Sequence, residues 1–387
     1  MRGRSRCSRR CEDGQPRRLS LRGSCFSFHI WEWNCDNSAL FLRFRSIYLS
    51  TSFPVKGPPI NVAVIGVGAF GRNHARVYQQ LQQAGSVQLV AVVDPDKVQA
   101  DAIAREFGCK AFGSVEQMLA THSDVQAASV AVPTVLHLEV AGALMESGVD
   151  VLIEKPVAAT LGEADELLRL ASAPQRVAQV GHLERFNPAV RATLPLINRP
   201  MFFEVHRLSV FSLRALDVDV VLDLMIHDLD VVLTFVNSQV KEIRAVGLPI
   251  LSDKVDIANV RIEFESGCVA NFTASRVSTE RVRKLRFFQA GQYISLDYGR
   301  QDVLVFSVGS AGGAGTQPSV NPQISMAKPP VTAEEPLLAE IKAFLQSVRD
   351  RSCPVVSLDD GRKALELGLA ILDEIGRHAG RIGVGRS

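Results

Sequence analysis

From residue 60 onward the chain alternates apolar runs of strand length with amphipathic stretches of helix length. Residues 61–66 read as a buried strand and 70–84 as a helix, followed by a Val-rich strand at 87–94 and a helix at 96–107. The alternation continues with a strand at 125–132, a helix at 136–147, a strand at 149–153, a helix at 161–171 and a short strand at 177–180. Strands alternating with helices of this length imply βαβ units and a parallel sheet. Residues 60–180 are therefore expected to form a Rossmann-type α/β domain, with its boundary near residue 180. Beyond it the pattern changes. One apolar helix at about 217–235 precedes short strands near 240–247, 256–265, 268–276, 283–290 and 292–298. Glu265-Ser266-Gly267 and Ala290-Gly291 supply hairpin turns. Residues 181–387 are thus expected to be an α+β domain for substrate binding and oligomerisation, with a largely antiparallel, open-faced sheet. The Gly/Ser/Pro-rich stretch 307–330 reads as a loop. Helices near 334–350 and 359–379 close the chain and are expected to pack back on the first domain.

A chain of 387 residues is long for one core, which agrees with two domains. Charge is distributed unevenly. Residues 1–59 hold 11 Lys/Arg against 4 Asp/Glu, and the remainder 32 against 37, so the folded part is mildly acidic and gives no argument for nucleic acid. Four of the seven cysteines lie in the first 59 residues, and Cys109, Cys268 and Cys353 are far apart without metal-ligand spacing. That suits a reducing cytoplasm, no disulfide framework and no metal. No run reaches the roughly 18 apolar residues of a membrane span. Residues 1–59 lack periodicity and are expected to stand outside the mature fold, as an over-extended start with Val55 as the true initiator; a transit peptide is the second reading.

Gly66-Val67-Gly68-Ala69-Phe70-Gly71 sits between an apolar strand and a helix, the context in which this fingerprint binds a dinucleotide pyrophosphate. Asp94 ends the next strand, 23 residues after Gly71, where an acid can hydrogen-bond a ribose 2′-hydroxyl. It favours NAD over NADP, although Lys97 stands near; a simple turn at Asp94-Pro95-Asp96 is the plainer reading. Thr134, after Pro133 at a strand end, is a candidate helix cap within reach of a nicotinamide ribose. His137 is a cofactor-side or a structural residue. Glu154-Lys155-Pro156 follows another strand and delivers a lysine to the same edge, where its cation can polarise a substrate oxygen; a solvated strand-end lysine is the alternative. The apolar helix near 217–235 carries Asp219, Asp223, His227 and Asp230, and the last three share one face. Such a stripe serves a metal, a structural His–Asp pair, or acid/base chemistry in which Asp223 orients His227.

Together these residues resemble the Gfo/Idh/MocA oxidoreductase family over about residues 60–380. The resemblance rests on the fingerprint, on Glu154-Lys155-Pro156 followed by Asp223-x-x-x-His227, and on Ser357-Leu358-Asp359-Asp360-Gly361 with Ala364-Leu365-Glu366. Thr134 departs from the Asn that many members carry after the proline. The resemblance implies a cofactor site of Gly66, Gly68, Ala69, Phe70, Gly71, Asp94, Thr134, His137, Glu154, Lys155 and Pro156. It also implies that Lys155, Asp223 and His227 act on a sugar or polyol hydroxyl, and that the second-domain sheet pairs in dimers or tetramers. Gly181-His182-Leu183-Glu184-Arg185-Phe186-Asn187-Pro188 looks like members that oxidise nucleotide-linked N-acetylhexosamines at C3. UDP-N-acetylglucosamine is then the substrate, and the 3-keto product feeds an aminotransferase for lipid A or surface polysaccharide. Arg185, Arg207, Arg214 and Arg276 are diphosphate candidates by charge, and Asn187 suits a sugar contact; a domain-linking segment with Asn187-Pro188 as a helix start is the other reading. An inositol or free-sugar dehydrogenase and a non-catalytic NAD-binding regulator remain as alternatives.

Overall fold

The apolar runs become strands covered on both faces. β1 (Ile60–Ile65) is buried at five of its six positions, as expected for a parallel strand between helical layers. It leads through the glycine turn into α1 (Ala69–Gln83), and β2 (Val87–Val93), α2 (Lys97–Phe107), β3 (Lys110–Phe112) and α3 (Val115–Thr121) follow. β4 (Ala127–Val130), α4 (His137–Glu146), β5 (Asp150–Glu154), α5 (Leu161–Ser172) and β6 (Ala178–Gly181) complete this half. The six strands are ordered β3-β2-β1-β4-β5-β6 and run parallel. From β1 the chain winds first to one side and later to the other. The crevice beyond the carboxyl ends of β1 and β4 is thus the switch point where such sheets take ligands. This computed structural model describes residues 57–172, 175–212, 218–309 and 323–381. The expectation for residues 1–59 falls almost wholly outside them.

The second half opens with α6 (Pro188–Thr193) and β7 (Pro200–Val210), then α7 (Ile226–Val236). β8 (Val240–Leu248), β9 (Ile257–Phe264), β10 (Val269–Ser278), β11 (Val282–Gln289), β12 (Gln292–Asp297), β13 (Asp302–Gly309) and β14 (Gln323–Ala327) build one sheet in the order β14-β13-β12-β11-β7-β10-β9-β8. Every neighbouring pair is antiparallel except β7 with β10. Three strands of this sheet differ from the sequence reading. β7 is central but carries Arg207 at an inward position, which breaks a simple apolar alternation. β13 ends, and β14 lies, inside the stretch 307–330 that reads as a loop.

One face of this sheet buries Phe203, Val205, Leu285, Phe287 and Ile294 against Val221, Met225, Leu229 and Val232 of the helical layer. The closing helices are α8 (Pro336–Asp350) and α9 (Leu358–Arg381). Ile341, Phe344, Leu345 and Val348 of α8 share a core with Val77, Tyr78 and Leu81 of α1. α9 serves both halves. Leu358 and Leu365 join the core of the parallel sheet, and Leu367, Ile371 and Ile375 join that of the second sheet.

Candidate active site

The glycine turn is built as a phosphate cradle. Gly66 has φ +81°, a backbone conformation that a side chain would strain. A Cβ on Gly71 would lie 1.8 Å from the Gly66 carbonyl oxygen, so only glycine allows the helix this close to its strand. A Cβ on Gly68 would meet nothing within 4 Å, and no side chain caps α1 there. The first-turn N–H groups at Ala69 and Phe70 therefore face open space, a helix N-terminus suited to an anion. Asp94 lies beside this turn. Its Oδ2 accepts the Val67 N–H at 2.9 Å and its Oδ1 the Asp96 N–H at 2.9 Å, and each oxygen retains a lone pair for a ribose hydroxyl. The cradle, the uncapped helix and this carboxylate fit a dinucleotide.

Thr134 is not the helix cap expected of it, and His137 and Glu154 are turned inward. Thr134 starts a single 3-10 turn and does not cap α4, whose N-cap is Leu136. His137 is buried, with Nδ1 3.0 Å from the Pro156 carbonyl oxygen and Nε2 3.0 Å from that of Val132. It ties the loop after β4 to the turn after β5, and its ring is not presented to a cofactor. Glu154 also turns inward. Its Oε1 meets His74 Nε2 at 2.9 Å, and its Oε2 accepts the Lys155 N–H at 3.3 Å. Burial pushes the Glu154 pKa upward, but His74 and Lys155 outweigh it and hold the group ionised below its ordinary value. The missing Cβ of Gly181 makes room, since one would lie 3.2 Å from the carboxyl carbon. Glu154 is thus the anchor that fixes the backbone of Lys155, which precedes a cis Pro156.

The Lys155 ammonium crosses to the second half. It donates to the Asp223 carbonyl at 2.7 Å and to Asp223 Oδ1 at 3.4 Å. Asp223 lies in a π-helical turn, Val221–Met225, directly before α7; such wide turns recur at functional sites. The wider turn changes the phase of the polar stripe. Asp223 accordingly pairs with Lys155, and no hydrogen bond joins it to His227. His227 is buried, and its Nδ1 is enclosed without a partner; Nε2 remains as the nitrogen able to meet a substrate. Burial first, then the charges of Lys155 and Arg207, lowers the imidazole pKa well below its ordinary value. The site thus holds a lysine ammonium fixed by Asp223 and an imidazole kept neutral by its surroundings.

The third residue of the stripe has another task. Asp230 accepts both Arg185 nitrogens at 2.8 Å, deep in the interior. Arg207 is held by Asp228 at 2.6 and 3.0 Å and by Glu184 at 3.1 Å. Arg276 bonds the Val218 carbonyl and lies 3.3 Å from Asp256. These three arginines are 3–5% exposed, so the diphosphate role read from their charge does not fit them; Arg214 lies outside the described residues. Asn187 is corrected too. Its Oδ1 caps α6 at Ala189, and its Nδ2 donates to Glu184 Oε2 at 3.0 Å and the Tyr298 carbonyl at 3.1 Å. No group of its side chain is left for a sugar.

Sequence reading missed His74, Glu184, Asp228, His182 and Glu340. The first three hold the site through contacts that no local spacing shows. His182 is fully buried with neither ring nitrogen paired, and Glu340 is buried with neither carboxyl oxygen paired. Among the described residues no group of three His, Cys, Asp or Glu could hold a metal, and no helix is long and apolar enough to cross a membrane.

Known proteins agree with this architecture. Residues 60–182 match the GFO_IDH_MocA description, an oxidoreductase family with an NAD-binding Rossmann fold, and residues 202–291 match the GFO/IDH/MocA C-terminal domain. The chain is 35% identical to UDP-N-acetylglucosamine 3-dehydrogenase of Acidithiobacillus ferrooxidans over 81% of its own length and 96% of that protein. It is 24% identical to scyllo-inositol 2-dehydrogenase (NAD(+)) of Bacillus subtilis over 80% of its length and 92% of that protein. A solved structure of the Acidithiobacillus enzyme superposes with a TM-score of 0.74 at 32% identity, covering 82% of this chain and 98% of that one. Levoglucosan dehydrogenase in complex with NADH gives 0.71 at 18% identity, over 82% and 97% of the two chains, and shares the fold alone. Two family models that together span more than half of the chain, and a relative 35% identical over nearly its whole length, show that the chain belongs to the Gfo/Idh/MocA family of oxidoreductases.

Proposed function

We propose that the protein is an NAD-dependent dehydrogenase that oxidises a secondary hydroxyl of a nucleotide sugar, C3 of UDP-N-acetylglucosamine, to the 3-keto sugar. The observation that carries this reading is the Lys155–Asp223 contact, which sets a cation from β5 beside the helix of a neutral His227. A nicotinamide dinucleotide, when bound, supplies the hydride acceptor. Gly66, Gly68, Gly71 and the first turn of α1 receive its pyrophosphate, and Asp94 its ribose hydroxyls. His227 takes the hydroxyl proton at Nε2 as the carbon–oxygen bond gains double-bond character. Lys155 stabilises the developing negative charge on that oxygen, and Asp223 fixes the ammonium in place. Asp94 favours NAD, since a 2′-phosphate would meet its carboxylate. The 35% identity to a UDP-N-acetylglucosamine 3-dehydrogenase supports the substrate.

For the assembly, we infer a homodimer or homotetramer formed through the open face of the second sheet. Phe202, Phe288, Tyr293 and Phe306 form a ladder there, with ring centroids 5.8, 5.0 and 5.4 Å apart. Val308, Ile324 and Met326 extend it with exposed apolar surface. The substrate is tested by following NADH formation with UDP-sugars, free N-acetylhexosamines and inositols. Turnover of UDP-N-acetylglucosamine alone supports the reading. NADH from myo-inositol and none from UDP-N-acetylglucosamine would replace it with an inositol dehydrogenase.

A further inference from the structure

Two arginines stand side by side on the core-facing side of the second sheet. β11 pairs antiparallel with β7 so that Arg283 lies opposite Arg207. Strand alternation puts Arg283 on the face of the buried Leu285 and Phe287, and Arg207 on that of Phe203 and Val205. Their surroundings differ. Arg207 is neutralised by Asp228 and Glu184. The Arg283 side chain makes no hydrogen bond or ion pair with any described residue; its Nε is enclosed without an acceptor, while the residue as a whole is half-buried. Arg281, two residues before it, is another cation, exposed at the start of the strand. Like charges facing each other across a strand pair are destabilising, and the enclosed Nε without an acceptor adds a desolvation penalty. Burial and then the Arg207 charge pull the Arg283 pKa below the ordinary arginine value, while Glu184 and Asp228 are already engaged by Arg207. Leu285 and Phe287, on the same face of β11 as Arg283, share a core with Leu229 and Val232 of α7, so Arg283 lies on the side of the sheet that the helix of His227 covers.

Glu184 and Asp228 offset part of the repulsion from Arg207 at a distance, but the Arg283 side chain has no acceptor among the described residues and its terminal nitrogens are not enclosed, so it can take an anion brought by a ligand. The planar guanidinium suits the paired oxygens of a phosphate. We propose that Arg283 receives the diphosphate of the substrate, and that it selects nucleoside diphosphate sugars over free sugars and inositols. This inference rests on the nucleotide-sugar reading above. It replaces the arginines chosen by charge alone, Arg185, Arg207 and Arg276, which are held inside the protein. The diphosphate at C1 then orients the sugar so that a ring hydroxyl meets Lys155 and His227.

The test is calorimetric titration of the protein loaded with NADH, which cannot accept hydride from the substrate, with UDP and with UDP-N-acetylglucosamine, for wild type, Arg283→Met and Arg283→Lys. Methionine keeps an apolar stem for packing and removes the charge; lysine keeps a charge and loses the fork. The expected result is binding of both ligands weakened about 10- to 100-fold by Arg283→Met and less by Arg283→Lys. NAD affinity should be unchanged, and the Tm without ligand unchanged or raised, because an unpaired cation has been removed beside Arg207. Wild-type affinity in Arg283→Met would overturn the assignment while leaving the nucleotide-sugar reading intact. Weaker binding together with a lower Tm and lower NAD affinity would mark a structural arginine and also overturn it. A wild-type protein that binds neither UDP nor UDP-N-acetylglucosamine would overturn the assignment and the substrate reading together.

Discussion

His227, the proposed base, is neutral at neutral pH because burial and the charges of Lys155 and Arg207 all oppose its protonation. The pH dependence of kcat/KM should therefore be flat through neutrality, with its acid limb below the ordinary histidine value of about 6.5. Lys155→Met removes one of those charges. The imidazole pKa then rises, and the acid limb of the residual activity should move to higher pH; an unmoved limb would separate the lysine from the base. Lys155→Ala and His227→Ala should each lower kcat about 10²- to 10⁴-fold while NAD binding by titration stays unchanged. Lys155 and the glycine fingerprint were legible in sequence because both sit at strand ends of a regular β/α alternation. Asp230 and Asn187 were not. A polar side chain on an apolar helix looks the same whether it faces a ligand or a buried arginine, and the arginine lies 45 residues from Asp230.

At the scale of elements, buried ion pairs hold α7 to the segment after β6 and to β7. Asp230→Ala would leave Arg185 without its bidentate partner and should cost about 3–5 kcal/mol in urea unfolding. Asn187→Ala removes an N-cap and two buried hydrogen bonds, about 1–3 kcal/mol. Loss of stability with KM unchanged identifies a cap, whereas a changed KM at constant stability would return Asn187 to the substrate. Glu340 on α8 behaves in the opposite way. Burial raises its pKa well above the ordinary value, and the Glu154 and Asp230 charges raise it further. The native state then keeps a proton that the unfolded chain releases above about pH 4.3, so this group subtracts stability as pH rises. Glu340→Gln should be more stable than wild type at neutral pH, with the gain vanishing near the ordinary glutamate pKa. β7 escaped sequence reading for a related reason. Its inward Arg207 meets ion-pair partners from elsewhere, and periodicity registers only apolar burial.

Across the whole molecule the site is shared. The parallel sheet supplies Lys155 and the cofactor cradle, the second half supplies His227 and Asp223, and α9 packs into both cores. The open sheet face should hold the oligomer. Tyr293→Lys in the middle of the aromatic ladder should shift sedimentation toward the monomer, and a wild-type protein that is already monomeric would refute the proposed interface. The central claim is that this divided site removes hydride from C3 of a nucleotide sugar. The most direct measurement uses UDP-N-acetylglucosamine deuterated at C3 and follows the label by mass spectrometry. Deuterium in the reduced cofactor, with slower turnover than the unlabelled substrate and loss of both in His227→Ala, is the expected result. Reduced cofactor without deuterium would contradict the assignment of the carbon, and no reduction of NAD at all would contradict the reaction.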